Sequence, residues 1–106
     1  MKTTQTPRND FAAGLRKTRD AQALSQEDFG LVSSRTYVSS LERGLKSPTL
    51  NKVDHLANTL GVHPLTLLFM SYVETGKETS ALELLEAVRE EIQSVLKHTA
   101  KSAVAK

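Results

Sequence analysis

Apolar residues recur at spacings of three and four in five short segments, each cut off by glycine, serine or proline, and this pattern narrows the fold more than any other feature of the chain. Phe11, Leu15 and Thr18, with Ala12 beside them, follow Asp10. Ser25 precedes Gln26-Glu27-Asp28, which places an N-cap serine ahead of a first turn rich in acid, with Phe29, Leu31 and Val32 as the apolar residues. Residues Arg35 to Arg43 turn Val38 and Leu41 inward and stop at Gly44, and Leu50, Val53, Leu56, Ala57 and Leu60 repeat near 3.6 before Gly61. A glycine just past a helix end supplies the left-handed backbone that such ends need. Pro64 suits the first turn of the next helix, which carries Leu65, Leu67, Leu68, Phe69 and Tyr72. No period-2 run and no Asn-Gly or Asp-Gly dipeptide signals a hairpin, so the chain is expected to be all-α.

Residues 1–8 are polar and expected to be flexible, and residues 9–74 hold the five short helices. Thr75-Gly76-Lys77 marks a boundary. Beyond it, Ala81, Leu85, Val88, Ile92, Val95 and Thr99 alternate at four and three, with Leu82, Leu84 and Leu96 widening the stripe. Glu83, Glu86, Glu90 and Lys97 take the opposite face. A C-terminal amphipathic helix is therefore predicted over 78–100, with 101–106 as a flexible tail. An unpartnered stripe invites association, so Leu82, Leu85, Val88, Ile92, Val95 and Leu96 are the candidate oligomerisation residues, in a homodimer or a tetramer.

Composition excludes several functions. With 39% hydrophobic and 25% charged residues, the 106-residue chain can bury a small core. It has no cysteine, hence no disulfide, thiolate zinc site, iron–sulfur cluster or thiol nucleophile, in keeping with a cytoplasmic protein. No apolar run approaches the roughly 18–20 residues of a membrane span, and Met1 to Asn9 lacks the apolar stretch of a secretory signal. His55, His63 and His98 stand on unrelated segments, which argues for surface or capping roles and against a metal site. Glu83, Glu86 and Glu90 read as the wet side of a helix. No phosphate loop, nucleophile elbow or metal-binding His/Glu motif occurs, so no catalytic residue, metal or cofactor is expected and the chain is not read as an enzyme.

The stretch Leu24-Ser25-Gln26-Glu27-Asp28-Phe29 followed by Arg35-Thr36-Tyr37-Val38-Ser39-Ser40-Leu41-Glu42-Arg43-Gly44 resembles the phage-repressor/Cro type of helix-turn-helix regulator, also called the xenobiotic-response-element family. The likeness continues through Ser47-Pro48-Thr49-Leu50, Leu56-Ala57 and Leu60-Gly61-Val62 to Leu68-Phe69, covering roughly residues 9–73. The Arg-Thr-Tyr opening also looks like controller proteins of restriction–modification systems. One departure stands out: family members usually carry two more residues before the recognition helix, so Gly30 to Ser34 implies a shortened second helix or a tight turn. The resemblance implies a five-helix DNA-binding domain in which Glu42 pairs with an arginine of the first helix, the position matched by Arg19.

The residues fit that implication on their own terms. Arg35, Thr36, Tyr37, Ser39 and Ser40 lie on a helix whose buried face needs only Val38 and Leu41, and a helix of that size fits the DNA major groove. Arg35, Thr36, Ser39 and Ser40 are the expected base contacts, and Gln26, Ser34, Tyr37, Arg43 and Lys46 the expected phosphate contacts. Formal net charge is only +2, but residues 33–52 hold Arg35, Arg43, Lys46 and Lys52 against the single acid Glu42. The expected partners are double-stranded DNA and further copies of the chain, with no membrane. The expected role is a sequence-specific transcription regulator that binds an operator as a homo-oligomer. The alternative is an antitoxin-like module whose last helix grips a protein partner.

Overall fold

The computed structural model describes residues 8–30, 34–73 and 78–104, with side chains described only over 80–99 in the last segment. It divides into two compact units, Met1–Tyr72 and Val73–Lys106, a division two residues before the expected end of the domain at 74. The Thr75-Gly76-Lys77 boundary lies outside the described residues, as do Leu31, Val32 and Ser33 of the turn.

The regular structure of the first unit is helical throughout its described residues: α1 (Phe11–Ala21), a 3₁₀ helix (Gln26–Phe29), α2 (Arg35–Glu42), α3 (Leu50–Leu60) and α4 (Pro64–Met70). The shortened second helix implied by the missing residues takes the form of that single 3₁₀ turn. Side-chain caps start most of the helices. Asp10 accepts from Ala13 N–H at 3.2 Å, Ser34 from Tyr37 N–H at 3.0 Å, and Thr49 from Lys52 N–H at 3.1 Å. The His63 ring nitrogen accepts from Leu65 N–H at 3.0 Å, so this histidine caps α4. Asp28 accepts from Ser25 N–H at 2.7 Å. Gly44 and Gly61 adopt φ of +74° and +75°, the left-handed conformation that ends α2 and α3.

The stripes converge on one core of Phe11, Leu15, Phe29, Val38, Leu41 and Leu56, extended by Val53, Ala57, Leu60 and Leu67. Leu50 and Leu65 do not join it, being 74% and 65% exposed. Leu50 is the first residue of α3, and its period points it along the right face but beyond the end of the core. Leu65 lies on the side of α4 away from Leu67, two residues being more than half a turn. Thr18 is buried, its hydroxyl donating to Gly14 O at 2.8 Å.

α1 packs against α4, and their approach depends on Gly14. A Cβ there would lie 2.9 Å from both the N and Oγ of Ser71 and 3.0 Å from the Met70 carbonyl carbon. Ser71 O also accepts from Asp10 N–H at 2.6 Å, which pins the start of α1 to the end of α4. Gly14→Ala is therefore expected to lose about 1–3 kcal/mol through overpacking against backbone that has no room to yield. The midpoint of urea unfolding of the variant checks this.

The second unit is one helix, α5 (Glu78–Val104), 27 residues long. It runs four residues past the expected end at 100, because Ala100, Lys101 and Ala103 favour helix by propensity alone and need no apolar stripe. The expected flexible tail is thus helical to Val104, and residues 105 and 106 lie outside the described residues. No helix among the described residues is long and apolar enough to cross a membrane.

Candidate nucleic-acid interface

α2 presents one face to the core and another to solvent. Val38 and Leu41 are fully buried, and Glu42 is 5% exposed. The first turn, capped by Ser34, lies open: Ser34, Arg35 and Thr36 are exposed and Ser39 is half-buried one turn on. Ser40, expected among the base contacts, is only 8% exposed. Just past α2, Leu45 N–H donates to the Ser40 main-chain O at 2.9 Å, which closes the helix end. Ser40 is accordingly withdrawn from the outward set.

The inner end of α2 is held by ionic bonds. Arg19 on α1 donates from Nε to Glu42 Oε2 at 2.6 Å and from Nη2 to Oε1 at 2.9 Å, a two-pronged pair. Its third nitrogen donates to Leu24 O at 2.9 Å, and Arg16 Nη1 donates to Glu42 O at 2.9 Å. The side chains of Arg19 and Glu42 are 14% and 4% exposed. Burial alone would push the Glu42 carboxyl up, but bonds from Arg19 and Gln26, together with the charges of Arg19 and Arg16, bring it below the ordinary glutamate value. The Arg19 guanidinium is held above its ordinary value, chiefly by its bonds to Glu42.

Gln26 connects this pair to the outer face. Its Nε2 donates to Glu42 Oε1 at 3.0 Å, which commits one of its two amide hydrogens. The 3₁₀ helix therefore rests on the same carboxylate that anchors α2.

Around the rim stand the cations. Arg43 and Lys46 are exposed. Tyr37 is half-buried, its ring packed on the core, with the Lys46 and Lys52 ammonium groups 5.8 Å and 5.2 Å from its centroid. Lys52 contributed only charge to the sequence reading; fifteen residues separate it from Tyr37, and only the tertiary fold brings them together. Glu27 was likewise unassigned. Its carboxylate lies 3.8 Å from Arg35 Nη1, both side chains about two-thirds or more exposed. Sequence spacing held no signal for either contact. Among the described residues no group of His, Cys, Asp and Glu side chains could hold a metal ion.

On α5, Leu82, Leu85, Ile92, Val95 and Leu96 are each half exposed or more, and Val88 is half-buried. All six candidate association residues therefore lie on one helix surface.

Comparison with known proteins bears on the first unit. A family model described as helix-turn-helix matches residues 15–67, from the middle of α1 into α4. No curated protein matches the chain. Among solved structures, the restriction-modification controller protein C.AhdI from Aeromonas hydrophila is similar at 36% identity, over 54% of this chain and 86% of that one, with a TM-score of 0.51. The hypothetical transcription factor NHTF from Neisseria is similar at 31% identity, over 64% of this chain and 80% of that one, with a TM-score of 0.52.

Proposed function

The chain belongs to the helix-turn-helix family, and on that premise we propose that it is a sequence-specific DNA-binding transcription regulator that holds an operator as a homo-oligomer. The observation that carries this reading is the open, Ser34-capped first turn of α2, braced from behind by the buried Arg19–Glu42 pair. A recognition helix must project its side chains and yet keep them still, since loose groups lose entropy on each contact they make.

In this reading Arg35, Thr36 and Ser39 meet base edges in the major groove, where arginine pairs with guanine and a hydroxyl serves several bases. Ser34, Tyr37, Arg43 and Lys46 meet phosphates, joined by Lys52 beside the same tyrosine ring and by the second amide hydrogen of Gln26. A shallow fit of one small domain gives few base contacts. Two domains joined through α5 read two half-sites and multiply the discrimination of each.

The experiment has two steps: selection of bound sequences from random duplex DNA with the full chain, then gel shifts on the selected operator. Arg35→Ala is expected to cost about 1–3 kcal/mol on the operator and to relax the preference at one position. Lys46→Ala is expected to weaken binding to every sequence alike and to lower the slope of log affinity against log salt by about one. Wild-type binding by both variants would remove α2 from the interface.

A further inference from the structure

An acid stands among the groups read as facing DNA. The Glu27 carboxylate lies 3.8 Å from Arg35 Nη1, and the two side chains are 73% and 68% exposed. Both neighbours of Glu27 in the 3₁₀ helix are tied down. Gln26 Nε2 donates to Glu42 Oε1 at 3.0 Å, and Asp28 Oδ2 accepts from Ser25 N–H at 2.7 Å. Glu27 O itself accepts from Gly30 N–H at 3.1 Å. Across the gap, Arg35 opens α2 directly after its Ser34 cap. The backbone is thus held on both sides, while the two charged ends stay in water.

Distance and exposure give this pair its character. At 3.8 Å it is longer than a hydrogen bond, and an exposed pair of this kind stabilises little, so it exchanges readily. The approach is to Nη1, which leaves Nε and Nη2 as the parallel fork that grips guanine O6 and N7. Facing DNA, the carboxylate repels phosphate whatever the sequence. Beside Arg35 it has a second effect. A guanidinium that misses its guanine would otherwise swing to a phosphate, a contact blind to sequence. Glu27 offers it a partner within the protein, so a wrong base goes without that compensation. Discrimination is a difference of two affinities, and weakening the wrong complex widens it.

With Arg35 as a base contact, as proposed above, we infer that Glu27 is a positioning residue that sets specificity by keeping Arg35 off phosphates unless its guanine is present. The test uses the full chain on two duplexes. One is the selected operator, and the other has the base pair exchanged at the position whose preference Arg35→Ala relaxes. Glu27→Gln is expected to melt as the wild type does and to narrow the affinity ratio of operator to exchanged duplex about fivefold. On the exchanged duplex its slope of log affinity against log salt is expected to steepen by about one, the mark of one added phosphate contact. In an Arg35→Ala background the ratio is expected to stay where it was. An equal gain on both duplexes overturns the inference, because the carboxylate then acts only as a general repulsive charge. A narrowed ratio that persists without Arg35 also overturns it and puts Glu27 on a base of its own. If Arg35→Ala leaves operator binding intact, the placement of α2 itself fails and this role of Glu27 falls with it.

Discussion

Glu42→Ala is expected to remove a large part of the stability of the first unit, about 3–5 kcal/mol at 25 °C. Removing one partner of a buried ion pair is this costly because the other charge stays behind without compensation. Here the stranded group is Arg19, at 14% side-chain exposure, with only Leu24 O and a 3.5 Å approach to Asp20 left to it. Gln26 loses its acceptor at the same time. At about 0.05–0.15 kcal/mol per residue, a unit of this size has a total stability of roughly 4–11 kcal/mol, so the loss takes a large share of it. Urea unfolding of the variant, followed by helical signal, checks it; a midpoint near wild type would refute the structural weight given to the pair.

The same group sets an acid limit. The folded-state value of Glu42 lies below its ordinary one, so its contribution is complete above the unfolded-state value of about 4.3 and is lost as pH falls through the lower folded value. Wild-type stability should thus decline below pH 4 more steeply than that of Glu42→Gln, which has no carboxylate to protonate. Melting temperatures of the two proteins between pH 7 and pH 3 are the measurement.

A chain cut after Thr75 is expected to keep a folded, monomeric first unit and to bind its operator about 10²–10⁴-fold more weakly. Among the described residues the first unit contains its own core and its own caps. What the truncated chain loses is linkage, since two joined domains find their half-sites at a high effective concentration and two free ones do not. Affinity for a single half-site should be unchanged. Fluorescence anisotropy on full and half operators separates the two effects, and equal affinity of cut and full chains for the full operator would refute the role of α5.

Most of the helices were legible because their signals are local. The caps at Ser34 and Thr49, the stops at Gly44 and Gly61, and the 3.6-residue period of α3 each depend on neighbours a few residues away. The contact between Arg19 and Glu42 came instead from resemblance, for nothing in their spacing of 23 residues announces it. The period tells which way a residue points but not where the core ends, so Leu50 stands outside it, whereas Leu65 is on the far side of α4 from Leu67. Ser40 is 8% exposed although a helical wheel of α2 turns it away from Val38, so its burial is tertiary and leaves no trace in the spacing. The Tyr37–Lys52 contact and the hydrogen bond from Gln22 Nε2 to Leu60 O at 2.8 Å are likewise products of tertiary folding.

The buried braces that hold α2 reach it from behind, through the Glu42 carboxylate and main-chain oxygen and through Val38 and Leu41. Arg35 and Thr36 take no part in that buried scaffolding, the contact of Arg35 with Glu27 being an exposed 3.8 Å approach, so exchanging them alters what is read with little disturbance to what reads it. A lineage of such regulators could drift to new target sequences by surface replacements alone, each with a stability effect within about 0.5 kcal/mol, while the frame beneath stays the same.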